Sequence, residues 1–127
     1  RRGGYTVVDA PHPKVILVGN GSEVSLLCDV ATELENEGIA SRVVSIPSIG
    51  LFNMQDTEYK ESVIPQGTPV FGLTAGLPST LYSVVGANGM IYGLNRFGAS
   101  APYKVLDEKF GFTTPNILEK VKQFINA

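Results

Sequence analysis

Apolar and polar positions fall along this chain in blocks whose period changes. Val15-Ile16-Leu17-Val18, read with Lys14 as one strand between Pro13 and Gly19, is a continuous run of the kind buried on both faces of a sheet. After the tight Gly19-Asn20-Gly21-Ser22 loop, the spacing becomes helical. Val24, Leu27, Cys28, Ala31 and Leu34 recur three and four residues apart, while Glu33, Asn36 and Glu37 point away. A helix is therefore predicted from about Glu23, capped by Ser22 and terminated at Gly38. Arg42-Val43-Val44-Ser45 is the next strand, stopped by Pro47. Strand, loop, helix and strand in this order make a βαβ unit, which builds parallel sheet with a right-handed crossover.

The remaining blocks extend the alternation. Thr6-Val7-Val8 is a short β-prone run followed by a proline-punctuated turn, Asp9-Ala10-Pro11-His12-Pro13. Residues 55–63 form a short helix closed by Pro65-Gln66-Gly67, and Pro69-Val70-Phe71-Gly72-Leu73 is a third buried strand. Leu81-Tyr82-Ser83-Val84-Val85 is read as helix because it lies between two strands, the second being Met90-Ile91-Tyr92-Gly93-Leu94. Residues 103–109 are read as helical. Thr114 as cap and Pro115 at the first helical position open a last helix, with Ile117, Leu118, Val121, Phe124 and Ile125 on one stripe. With no internal repeat and no dividing linker, residues 1–127 read as one α/β domain. Its expected form is an open, mostly parallel sheet with helices on both faces.

Charge narrows the partners. Ten basic and 12 acidic residues leave a net charge of −2, which argues against nucleic acid or an anionic membrane surface. Apolar runs of four or five residues fall far short of the ~20 a membrane helix needs. One cysteine excludes an internal disulfide framework and fits a reducing, cytoplasmic compartment. Only 17% of residues are charged, against roughly 25% in ordinary soluble domains, so part of the surface is expected to be covered. The chain opens on Arg1-Arg2 without an initiator Met or a following apolar stretch, so it is read as a piece of something larger rather than as a signal peptide.

Candidate chemistry is sparse. His12 is the single histidine and sits between two prolines, where an exposed loop residue is expected. Cys28 falls on the apolar stripe beside Asp29, as a buried small hydrophobe would. Gly19-Asn20-Gly21-Ser22-Glu23 follows a strand and opens a helix like the dinucleotide fingerprint, but Val24 replaces its third glycine. Gly21, Ser22 and Glu23 remain the candidate small-anion or effector site at a helix N-terminus, although Glu23 can itself complement the helix dipole. Gly98-Ala99-Ser100-Ala101-Pro102 lacks the strand-to-helix setting and last glycine of a nucleophile elbow, so Ser100 is not read as a nucleophile. Glu33, Glu35, Glu37, Asp107, Glu108 and Glu119 are scattered over predicted polar faces, with no metal-ligand spacing.

Several strings in order carry a resemblance: Arg2-Gly3-Gly4-Tyr5, Gly21-Ser22-Glu23-Val24-Ser25, Arg42-Val43-Val44-Ser45-Ile46-Pro47-Ser48, Leu51-Phe52, Gln55-Asp56, Glu58-Tyr59, Ser62-Val63-Ile64-Pro65, Phe97-Gly98-Ala99-Ser100-Ala101-Pro102 and Phe110-Gly111-Phe112-Thr113. Together they resemble the C-terminal (third) domain of transketolases over essentially the whole chain. The resemblance implies a three-layer α/β/α fold around a mostly parallel five-stranded sheet with one antiparallel strand. It implies a parent enzyme of the pentose phosphate pathway that moves a two-carbon ketol unit from a ketose phosphate to an aldose phosphate. That parent uses thiamine diphosphate and Mg2+ bound by upstream domains absent from this chain, works as a homodimer, and leaves this domain with no catalytic, cofactor-binding or metal residues. The domain's role is then structural, assembly-related or regulatory, with the other domains of the parent as partners.

The chain departs from the family pattern at Leu73-Thr74-Ala75-Gly76, where a carboxylate is lost, at Leu81, where a tryptophan is common, and at Ser48-Ile49-Gly50. Leu94 to Pro102 should emerge at the carboxyl edge of the sheet. Its Arg96, Phe97 and Ser100 are the candidate interface residues, since aromatics and arginines anchor interfaces and small residues admit a close backbone.

Overall fold

The computed structural model describes residues 2–74, 81–86, 89–93 and 112–126. Its elements are β1 (Tyr5–Val8), β2 (Val15–Gly19), α1 (Ser22–Asn36), β3 (Ser41–Ser45), α2 (Ile49–Asn53), α3 (Thr57–Val63), β4 (Val70–Thr74), α4 (Tyr82–Val85), β5 (Met90–Gly93) and α5 (Thr114–Ile125). The five strands form one sheet in the order β1-β3-β2-β4-β5. β2 pairs in parallel with β3 and β4, and β5 in parallel with β4, while β1 runs antiparallel along β3.

Alternate residues of the central strands feed two cores. Val15 and Leu17 of β2, Val43 of β3 and Phe71 and Leu73 of β4 meet Leu27, Val30, Ala31 and Leu34 of α1 and Ile117 and Val121 of α5. Ile16, Val18, Val44 and Val70 point the other way, toward Phe52, Val63, Leu81 and Val85. This two-sided burial is why β2 reads as an uninterrupted apolar run. The result is the expected three-layer α/β/α arrangement.

Element ends differ from the sequence pattern for local reasons. Lys14 and Pro69 lie just outside β2 and β4, and Gly19 and Thr74 just inside. Ser22 is the first helical residue; Gly21, at φ 59° and ψ −135°, occupies the cap position and no side chain caps the helix. Thr113, one residue before the expected Thr114, caps α5 by accepting from the Asn116 amide. Helix α2 is an element the sequence pattern does not mark. It is five residues long, too short to show a period, and is started by Ser48, which accepts from the Leu51 amide. Val24 is half-buried rather than buried, and Val30 takes the buried place beside Leu27. The predicted helix at 103–109 and Leu94 lie outside the described residues.

Candidate functional site

The connections place one crevice. α1 carries the chain from β2 to β3 across one face, and α2 with α3 carries it from β3 to β4 across the other. Strand order therefore reverses between the carboxyl ends of β2 and β4, the position where open α/β sheets bind ligands. The Gly19-Ser22 loop lies there. A side chain on Gly19 would press on Leu27 Cδ1 at 3.0 Å and the Leu73 carbonyl at 3.3 Å, so glycine lets α1 approach β4 closely. Gly21 has open space around it and is needed for its positive φ.

Gly21, Ser22 and Glu23 stand together at this crevice. The Glu23 amide donates to the Asn20 carbonyl and the Val24 amide to the Gly21 carbonyl, both at 3.2 Å. The Ser22 hydroxyl donates to Glu23 Oε2, also at 3.2 Å. Two first-turn donors are thus engaged by the turn's own carbonyls, and a carboxylate already supplies negative charge at the positive end of the helix.

The other candidates are dispersed. His12 is exposed at φ 51° on its loop. Cys28 is half-buried rather than buried, and burial, with a smaller push from the Asp29 charge, raises its thiol above the ordinary value. A thiol held in that form is a poor nucleophile. Glu33 and Glu35 are exposed, Glu37 pairs with Lys122 Nζ at 3.1 Å, and Glu119 accepts from Gln123. Arg96, Phe97, Ser100, Asp107 and Glu108 lie outside the described residues. Among the described residues, no three or more His, Cys, Asp or Glu side chains converge as metal ligands.

One arrangement was not picked out as a site from the sequence. Gly3, at φ +85°, lies so close to α2 that a Cβ there would fall 2.3 Å from the Phe52 nitrogen and 2.4 Å from the Ser48 carbonyl oxygen. The Ser48 amide donates to the Gly3 carbonyl at 3.1 Å, and the Tyr59 hydroxyl to the Gly4 carbonyl at 2.7 Å. The Arg2 guanidinium stacks 4.5 Å from the centroid of the Tyr59 ring, which in turn meets Phe52 edge-on. The Arg2-Gly3-Gly4-Tyr5 string is thus a strap clamped onto α2 and α3. The paired glycines were the available signal, since adjacent glycines before a strand mark close backbone approach.

The class so defined is an open α/β sheet domain with one antiparallel edge strand and a strapped N-terminal segment. The chain belongs to the transketolase family, as its C-terminal domain: the model of the transketolase-like TK C-terminal domain matches residues 3–113. It is 43% identical to transketolase 1 of Escherichia coli (strain K12), over 98% of this chain and 19% of that protein. The chain thus spans about a fifth of the curated relatives it matches. Transketolase from Leishmania mexicana superposes with a TM-score of 0.82 at 36% identity, over 98% of this chain and 18% of that one. A split-gene transketolase, solved as an inactive β4 tetramer, matches 99% of this chain and 43% of its own at 26% identity and a TM-score of 0.69. Of the departures from the family pattern, Thr74 is buried at the end of β4, and Leu81 fills with Val85 the space beside Gly72.

Proposed function

We propose that this chain is a non-catalytic assembly domain of a cytoplasmic, thiamine diphosphate-dependent transketolase that moves two-carbon ketol units between ketose and aldose phosphates. The cofactor and Mg2+ belong to the other domains of that enzyme, which works as a homodimer. The observation that carries the reading is the family match over residues 3–113. The split-gene relative, of whose chain this domain matches 43%, formed an inactive tetramer, which accords with that reading.

The test removes this domain from the full-length enzyme. The truncated protein is expected to keep thiamine diphosphate affinity within a few fold while losing assembly or turnover, and adding this chain in trans should recover part of either. A truncated protein that stays folded and dimeric but binds no cofactor would contradict the reading.

A further inference from the structure

Two Asn-Gly pairs occur in the chain, Asn20-Gly21 and Asn88-Gly89. In such a pair the amide after the asparagine has no Cβ beside it, so it can swing toward the asparagine's own carboxamide. The residues alone do not tell the two pairs apart, but the surroundings of the two glycines do. Gly21, at φ +59°, has open space where a Cβ would stand. It enters its turn through its carbonyl, which accepts from the Val24 amide; the turn's other bond runs from the Glu23 amide to the Asn20 carbonyl. The Gly21 amide lies outside both bonds. Gly89 is the reverse case. Its amide donates to the Gly86 carbonyl at 3.2 Å, and a Cβ there would collide with Val85 Cγ1 and fall 2.7 Å from the carbonyl oxygens of Val70 and Val85. Asn88 itself lies outside the described residues. Exposure does not single out Asn20, because Asn36 is exposed too. The amide after Asn36 belongs to Glu37, carries a side chain and donates to the Leu34 carbonyl at 2.9 Å. The carboxamides of Asn53 and Asn116 are held by Ser83 Oγ at 3.0 Å and the Tyr92 hydroxyl at 3.2 Å.

We propose that Asn20 is a covalent modification site, deamidated without an enzyme to aspartate and isoaspartate, and that the fold withholds the second Asn-Gly pair from the same reaction. The Gly21 amide nitrogen gives up its proton to a solvent base and attacks Cγ of Asn20. A carbon–nitrogen bond forms, the carboxamide carbon–nitrogen bond breaks, and ammonia leaves with the proton returned to it. The five-membered succinimide so made is opened by water at either carbonyl. Attack at one leaves aspartate; attack at the other leaves isoaspartate, with the backbone routed through the former side chain. Water is consumed, ammonia is released, and nothing is oxidised or reduced. The product adds one negative charge to the chain's −2 and sets a second carboxylate near Glu23 at the start of α1, where the helix dipole favours it. The crevice at the carboxyl ends of β2 and β4 thus grows more acidic as the protein ages. This chemistry does not depend on what the full-length enzyme catalyses.

The test is ageing of the full-length enzyme in heavy-oxygen water at mildly alkaline pH, with a denaturant-unfolded sample alongside. Peptide mass spectrometry follows positions 20, 36 and 88. In the native enzyme, position 20 is expected to convert at least fivefold faster than either of the others, taking up heavy oxygen and giving both isomers. In the unfolded sample the two Asn-Gly pairs should convert at rates within twofold of each other, because only the fold separates them. Equal native rates at positions 20 and 88, or faster conversion at 88, would overturn the proposal. Conversion of position 20 only in the unfolded sample would overturn it as well. Asn20→Gln supplies a second readout, since the longer side chain would have to close a six-membered ring. The variant should lose the acidic species that ion exchange resolves from the aged parent, and persistence of that species would place the reaction elsewhere.

Discussion

Arg42 donates from Nε to Oδ1 of Asp9 at 2.8 Å, across the junction between β3 and the turn that follows β1. Its Nη1 also donates to the carbonyls of Ser62 and Val63, at 3.2 and 2.9 Å, which close α3. One guanidinium thus ties the antiparallel edge of the sheet to a helix C-terminus, where positive charge is favoured. The two partners differ in exposure, 14% for the arginine side chain and 58% for the aspartate.

That asymmetry predicts unequal mutational costs. Arg42→Ala should lose about 1–3 kcal/mol, since it strips charged donors from partly buried carbonyls. Asp9→Asn should lose no more than about 1 kcal/mol, the range of exposed pairs. Denaturant unfolding of the two variants checks this, and equal losses would count against it. The pH dependence has a definite sign. The Arg42 hydrogen bond holds the Asp9 carboxyl below its ordinary value of 3.8, so the pair stabilises the fold above that value. The contribution fades as pH falls through the lower folded value. Wild type and Asp9→Asn should therefore differ at neutral pH and converge in acid.

Two glycines with nearly the same φ separate strain from crowding. Gly38 terminates α1 at φ +80° with open space around it, so Gly38→Ala should cost about 1 kcal/mol from the left-handed backbone alone. Gly3→Ala adds a collision with the backbone of α2 and should cost well over ~2 kcal/mol or release the strap. Thermal melts with proteolysis near residue 3 distinguish these outcomes. Equal losses at the two sites would mean that the strap is not held as described.

The α1 face supplies a third comparison. Leu27 is fully buried between α1 and the sheet, so Leu27→Ala should cost about 2–5 kcal/mol. Val24 is only half-buried, and Val24→Ala should cost distinctly less in the same unfolding experiment.

Much of this was legible in the residues because the central strands are buried on both faces and the long helices on one. The β2-α1-β3 unit, the buried β4 and the stripe of α5 all declare themselves through continuous or 3.6-period apolar runs. Short elements do not: α2 carries no period, and only the Ser48 cap marks it. The family resemblance implies one antiparallel strand without saying which, and β1, exposed at three of its four residues, encodes no direction by itself. Thr113 and Thr114 are chemically equal as caps, and only backbone geometry chooses between them. At the crevice, composition brought out Gly21, Ser22 and Glu23, whereas the engagement of the turn's own carbonyls by the first amides depends on coordinates. The strap was hidden for a similar reason: its partners, Ser48 and Tyr59, are distant in sequence.

Cys28 offers a chemical check. With its thiol raised by burial and by Asp29, it should be alkylated by iodoacetamide severalfold more slowly at neutral pH than an unhindered small thiol. Mass spectrometry of the time course reads this directly, and rapid modification would show a reactive thiolate that the surroundings do not support.

We propose that this domain serves a ketol-transferring enzyme without taking part in its chemistry. Calorimetric titration of the 127-residue chain with thiamine diphosphate and Mg2+ tests it most directly. No heat of binding above dilution is expected; a saturable isotherm at micromolar concentration would contradict a silent domain.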